Sequence, residues 1–320
     1  MVKPVTPPQS QSLDPRLYCD YARLVKLQAQ SQSFTLLPQL KAGSALSGRH
    51  QSTFRGRGLN FEELRHYQLG DDIRNLDWKV TLRTGKPHVR SYTEEKDRNV
   101  VIVVDQRSSM FFSSVEVMKS VVAAEVAALC GWRVLKDSDR VGFLIAGNNG
   151  LNWSKAKRSQ NDLLARLKLL SNINQELNVH SVSDSTPTFS QIVSLLNRLK
   201  LRACTLVFIS DWSDAEQSDV DLLKQLQQHN DLLAVKISDP FEQKLPDEAA
   251  DRGWVMGDGT YQLSVNEAAA LNQVNQHFRH KHGHIQQQLS KVMRAHHIPL
   301  VELDTSGEHL TQFKKMVGGR

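Results

Sequence analysis

Apolar residues fall into two patterns along this chain, and the change comes at residue 99. From there on, unbroken apolar runs alternate with stretches of helical spacing. The first run, Val100-Val101-Ile102-Val103-Val104, shows no polar alternation, which predicts a strand buried on both faces in the middle of a parallel sheet. It ends in Asp105, and the polar run Gln106-Arg107-Ser108-Ser109 follows. Residues 115–135, rich in alanine and valine, predict a long helix. Residues 141–145 read as a second strand closed by Gly147-Asn148-Asn149-Gly150, 151–155 as an edge strand and 162–170 as a helix. Thr186-Pro187-Thr188 suits the start of a helix reaching about residue 200. A buried strand over 205–210 ends in Asp211, a helix covers 220–228, and a strand over 232–237 ends at Asp239-Pro240. A hairpin around Gly257-Asp258-Gly259, a long polar helix over 267–296, a strand over 299–303 and a helix over 309–317 complete the chain. This rhythm predicts an α/β fold with a doubly wound, mostly parallel sheet.

Before residue 99 the texture differs. Residues 1–15 are rich in Pro, Gln and Ser and read as disordered, and 15–30 places Leu17, Tyr21, Leu24 and Leu27 near helical spacing. Residues 41–98 carry frequent glycines and dense charge, with a short helical turn expected over 61–65, a turn at Gly70-Asp71-Asp72 and a strand-like piece over 88–92. The expected division is an N-terminal extension over 1–40, a small β-rich subdomain over 41–98 and the α/β domain over 99–320.

Composition adds bounds rather than a function. Of the 320 residues, 40% are hydrophobic and 23% charged, with a formal net charge of +6, which permits an acidic partner without requiring one. Cys19, Cys130 and Cys204 are far apart and have no metal-ligand spacing, so reduced thiols are expected. No leader-type apolar core opens the chain, and no run approaches the ~20 apolar residues needed to span a bilayer. A soluble, cytoplasmic protein is expected. Gly85-Lys86 lacks the rest of a phosphate-binding loop, and no Ser-His-Asp grouping stands out. His280 and His284 share a helical face with no HExxH pattern around them, so a solvated face is the simpler reading of His277, His280, His282, His284, His296 and His297. The basic residues of 49–90 lack an aromatic stacking rhythm, and no nucleic-acid partner is expected.

The candidate chemistry lies where two buried strands end in Asp105 and Asp211. If those strands are neighbours, their carboxylates converge at one sheet edge, where open α/β sheets gather ligands. Ser109 lies within reach of the same point, and Thr188 or Thr186 adds a hydroxyl. Such oxygens suit Mg²⁺. The bland reading is strand-end carboxylates that cap nearby backbone amides. A turn suffices to explain Asp239-Pro240. The run Gly70-Asp71-Asp72, Arg74, Asp77-Trp78 reads either as a docking surface or, by slight preference, as a salt-bridged turn with Trp78 as a packing anchor.

The start VVD-x-x-x-S, the Thr-bearing loop and the strand end ISD resemble the von Willebrand factor A-like domain, whose metal-ion-dependent adhesion site uses Asp-x-Ser-x-Ser, then Thr, then Asp. The resemblance implies a metal at Asp105, Ser109, Thr188 and Asp211 that bridges to an acidic partner residue. Arg107 stands where the first Ser belongs, and its fixed charge opposes a divalent cation. Weak or absent Mg²⁺ is therefore expected, with Arg107 pairing with Asp105 or Asp211 or receiving the partner carboxylate itself. A second, more specific resemblance covers roughly residues 45–260. The stretch 58–67 (GLNFEELRHY), then 70–78 (GDDIRNLDW), 90–95 (RSYTEE), 206–214 (LVFISDWSD) and 238–247 (SDPFEQKLPD) look like the signature of the domain of unknown function 58 family. That resemblance implies a non-enzymatic adaptor or cofactor of a MoxR-type AAA+ ATPase, acting on a client protein in assembly, maturation or remodelling. The alternative is a metal-assisted hydrolase or phosphoryl-transfer enzyme using Asp105 and Asp211.

Overall fold

The structure is a computed structural model and describes residues 13–34, 36, 59–94, 97–179, 186–243, 245–246, 254–257, 262–265, 293 and 298–318. The chain divides into two compact units, Ser44–Asp97 and a larger one made of Met1–Gly43 with Arg98–Arg320. In chain order the elements are α1 (Tyr21–Lys26), β1 (Leu59–His66), α2 (Trp78–Thr84), β2 (His88–Glu94), β3 (Asn99–Gln106), α3 (Lys119–Lys136), β4 (Arg140–Gly147), β5 (Gly150–Lys157), α4 (Gln160–Gln175), α5 (Phe189–Arg198), β6 (Cys204–Ser210), α6 (Gln217–Gln227), β7 (Asp231–Ser238), α7 (Pro240–Gln243), β8 (Trp254–Gly257), β9 (Gln262–Val265), β10 (Leu300–Asp304) and α8 (His309–Val317). The polar helix expected over 267–296 lies outside the described residues apart from Met293, as do all six histidines between His277 and His297 and the residues before Leu13.

In the larger unit six strands form one sheet in the order β10-β7-β6-β3-β4-β5. All neighbours run parallel except β5, which runs antiparallel to β4 at the edge. The chain leaves β3 toward β4 on one side and later crosses to β6 on the other. The strand order therefore reverses between β3 and β6, and the crevice at their carboxyl ends is the switch point of the sheet. Both faces are covered. Val100, Ile102 and Val104 pack with α3, while Val101 and Val103 pack with Phe189 and Ile192 of α5 and Val220 and Leu223 of α6. That is why β3 needs no polar alternation.

Helix α3 explains the N-terminal segment. Fifteen of its 18 residues are buried, so it has no solvent face to spare. Its outer side is covered by Leu24, Leu27 and Phe34 and by Phe313 of α8, and the Trp132 Nε1–H donates to the Leu24 carbonyl at 3.0 Å. Glu125, 1% exposed in the middle of α3, takes the His309 Nε2 at 2.7 Å and pairs with Arg23. The segment from Cys19 to Phe34 is thus part of the core rather than an appendage. Its helix is shorter than expected, because a 3-10 segment, Leu27–Ser33, takes over from α1.

In the smaller unit, β1 pairs antiparallel with β2. The helical turn expected over 61–65 is instead strand, because register with 89–92 supplies hydrogen-bond partners that a local turn lacks. The hairpin over 253–263 is present as β8 paired with β9.

The edge pairing of β4 with β5 depends on Gly142. The register shifts between Val141 and Phe143, and a Cβ at position 142 would lie 2.8 Å from both the Ala156 nitrogen and the Ser154 carbonyl oxygen. These are backbone atoms that cannot rotate away. Gly142→Ala is expected to cost about 1–3 kcal/mol of stability by overpacking, read as a lower midpoint in urea unfolding with an unchanged slope. An unchanged midpoint would show that β5 can shift freely.

Candidate functional site

The crevice at the switch point is filled with charge that the chain supplies itself. Asp105 is the penultimate residue of β3 and is 2% exposed. Arg107, two residues on and 4% exposed, folds back over it. Its backbone N–H and its Nε donate to Asp105 Oδ1 at 3.0 and 2.9 Å, and one terminal nitrogen donates to Oδ2 at 2.7 Å. That same nitrogen donates to Asp214 Oδ1 at 2.9 Å, and the other donates to Asp214 Oδ2 at 2.6 Å and to the Pro187 carbonyl at 3.1 Å. A guanidinium has five N–H donors, and all five find acceptors here. None is left for a partner's carboxylate. Arg107 pairs with Asp105, one of the two acids expected for it; its other acid is Asp214, not Asp211.

Asp211 has a cation of its own. Lys119, the first residue of α3 and 1% exposed, reaches Asp211 Oδ2 at 2.8 Å and pairs also with Glu242 of α7. Its ammonium lies 5.8 Å from the centre of the Phe112 ring. Burial alone would lower the pKa of Lys119 and of Arg107. In both, the adjacent carboxylates outweigh burial and hold the pKa raised, so both stay charged. Burial would likewise raise Asp211, but the Lys119 charge and hydrogen bond hold it below the usual carboxylate range.

Neighbouring groups fix the two clusters. The Ser210 hydroxyl donates to Asp105 Oδ2 at 2.7 Å and accepts from the Trp212 N–H at 3.1 Å. Trp212 has φ +60, the left-handed region that a bulky residue rarely adopts. Its ring is held against Phe189 and Phe208 at centroid distances of 4.9 and 5.9 Å, and its indole N–H donates to the Val235 carbonyl at 3.3 Å. Asp214 Oδ2 also accepts from the Phe189 N–H at 2.9 Å, at the N-terminus of α5.

The expected hydroxyls take different places. Thr188 is exposed and caps α5 in a capping box with Gln191. Thr186 Oγ1 is buried without a partner among the described residues. Ser109 is exposed in the short turn Ser108–Met110, whose first N–H donates to Asn148 Oδ1 at 2.7 Å. Among the described residues no group of three or more His, Cys, Asp or Glu side chains is arranged to hold a metal ion. Asp239 serves structure: its carboxylate accepts from the Ser114 N–H at 2.7 Å, the Thr305 hydroxyl at 2.6 Å and the Phe241 N–H at 3.0 Å. Sequence reasoning missed Lys119, Glu242 and the role of Asp214. The one available signal was Lys119 itself, a lysine just ahead of the apolar run Val121–Ala124.

Fold and site together define a doubly wound α/β protein whose strand-end carboxylates are paired with the chain's own cations. The chain belongs to the DUF58 family, proteins of unknown function, which it matches over residues 63–287. It is 27% identical over 222 residues to uncharacterized proteins of Mycobacterium bovis (Mb1516) and Mycobacterium tuberculosis (Rv1480), a match spanning 69% of this chain and 68% of each of theirs. Among the described residues no helix is long and apolar enough to cross a membrane.

The Lys119–Asp211 pair has a defined pH signature. Asp211 contributes stability above its unfolded pKa near 3.8, and this is lost as pH falls through its lower folded value. The raised Lys119 contributes below 10.5 and is lost as pH rises through its folded value. Lys119→Met leaves Asp211 buried with its main counter-charge gone, at an expected cost of about 3–5 kcal/mol at neutral pH. The deficit should shrink as acid protonates Asp211, and Lys119→Met/Asp211→Asn should recover part of it. Denaturant unfolding from acid to neutral pH checks this. A deficit independent of pH would mean that Lys119 acts by packing alone.

Proposed function

We propose that this chain is a protein-binding adaptor or cofactor of a MoxR-type AAA+ ATPase, presenting a client protein for assembly, maturation or remodelling. Membership of the DUF58 family supports the reading. So do the strand order with an antiparallel edge strand and the carboxyl-edge placement of Asp105, Ser109 and Asp211, which fit a von Willebrand factor A-like domain. The observation that carries it is the pairing of Arg107 with Asp105 and Asp214 and of Lys119 with Asp211 and Glu242. Mg²⁺ binding at Asp105 and Asp211 would have to displace a guanidinium and an ammonium, and this donor set does not fit it. The hydrolase alternative meets the same obstacle, because it needs those carboxylates to hold an activated water.

What the crevice offers a partner is its rim: exposed Ser109 and Thr188, and Asp214, whose side chain is 39% exposed. Four carboxylates (Asp105, Asp211, Asp214, Glu242) face two cations, so the surplus charge is negative. A basic partner segment therefore fits better than the acidic residue expected from the adhesion site. The test is binding to a purified MoxR-type ATPase, with and without chelator. Binding indifferent to chelator, and weakened by about tenfold or more in Ser109→Lys or Asp214→Ala, is the expected result. Chelator-sensitive binding would restore the metal. No binding, or binding untouched by both variants, would remove the crevice from the function.

A further inference from the structure

A second surface lies in the smaller unit, in the connection between β1 and β2. At the tip end the strands meet at His66 and His88, whose rings contact each other in a tilted arrangement at 4.4 Å, and the Tyr67 N–H donates to the Pro87 carbonyl at 2.9 Å. Everything between belongs to one hairpin tip. Eleven large hydrophobic side chains are exposed among the described residues, and five lie within 64–82. Four of these are in the tip itself: Leu69 is fully exposed, Leu82 83%, Ile73 62% and Trp78 62%. Trp78 is therefore not the packing anchor expected from the sequence. It opens α2 with Leu82 one turn on, so the two share a face of that helix. Scattered apolar exposure is ordinary, but this concentration is not.

The tip is also basic in what it leaves unspent. Asp71 is bound by Arg65 through two hydrogen bonds of 2.8 and 2.6 Å, Asp77 caps α2 and accepts from Arg90 Nε at 2.8 Å, and Asp72 accepts from the Arg74 N–H at 3.0 Å. The side chains of Arg74, Lys79, Arg83 and Lys86 are exposed, and no acid pairs with them among the described residues. Acids thus hold the tip together while four cations flank its apolar side chains. A protein groove would need those apolar side chains joined into one contour. What they share is the tip, and a fluid anionic interface accommodates that arrangement, with Trp and Leu entering the headgroup boundary and Lys and Arg meeting lipid phosphates.

We propose that residues 67–87 form a peripheral membrane-binding tip that takes anionic lipid headgroups. The proposal is independent of the crevice and of any ATPase. The test is co-sedimentation of the full chain with vesicles of phosphatidylcholine alone and of phosphatidylcholine mixed with phosphatidylglycerol. Binding is expected only to the mixed vesicles, and it should weaken as salt is raised. Trp78→Ser/Leu82→Ser should reduce it by about tenfold or more, and so should Lys79→Glu/Arg83→Glu. All four side chains are exposed, so the far-ultraviolet circular dichroism of both variants should match the parent. Equal binding to both vesicle types, no binding to either, or binding undiminished in either folded variant would overturn the proposal.

Discussion

The carboxyl edge of the sheet depends on cations that are covalently part of the chain. A strand-end carboxylate at a buried switch point must be compensated, because an isolated buried ion costs several kcal/mol. Adhesion-type sites use an exchangeable metal for this. Here Arg107 and Lys119 do it permanently, one planar and forked between Asp105 and Asp214, the other a point charge between Asp211 and Glu242. Both cations are part of the chain, so the crevice carries its own counter-charge. Such pairs are weak evidence for stability, since desolvation offsets most of their attraction. Their consequence here is shape: Trp212 stays in the left-handed region because Ser210, itself bonded to Asp105, takes its N–H.

The same economy reaches into the core through α3. Lys119 begins that helix at the crevice, and Glu125 lies in its middle, bonded to His309 and Arg23. One buried helix thus ties the site to both the N-terminal segment and α8. The apolar covering by Leu24, Leu27, Phe34 and Phe313 keeps Glu125 and His309 buried, which strengthens their hydrogen bond and raises the cost of breaking it.

The sheet was legible because its strands are buried on both faces, so unbroken runs such as VVIVV and TLVFIS carry the signal without help from neighbours. Asp105 and Asp211 were legible for the same reason, as the polar residues that end those runs. What pairs with them was not. Lys119 and Asp211 are 92 positions apart, and Arg107 and Asp214 are 107 apart. No local pattern encodes such contacts, which arise only when the sheet aligns its strand ends. Residues 61–65 misled for a related reason: a charged, apolar-flanked pentapeptide is ambiguous alone, and only pairing with β2 makes it strand. Trp78 misled because an aromatic beside a salt-bridged turn suggests burial, whereas Asp77 spends its hydrogen bonds on the helix cap and leaves the indole outside.

The two units use charge by one rule and end with surplus charge of opposite sign. In each, one sign is consumed in building structure and the other is left over. At the sheet edge two buried cations are shared by four carboxylates, so the net charge is negative, and the most exposed of those carboxylates is Asp214, itself paired with Arg107. At the hairpin tip the acids are consumed in caps and bidentate pairs, so the remainder is Arg74, Lys79, Arg83 and Lys86 and the surface is basic. The formal net charge of +6 describes neither surface. Recognition depends on the local surplus of charge left after folding, and that surplus differs in sign between the two sites.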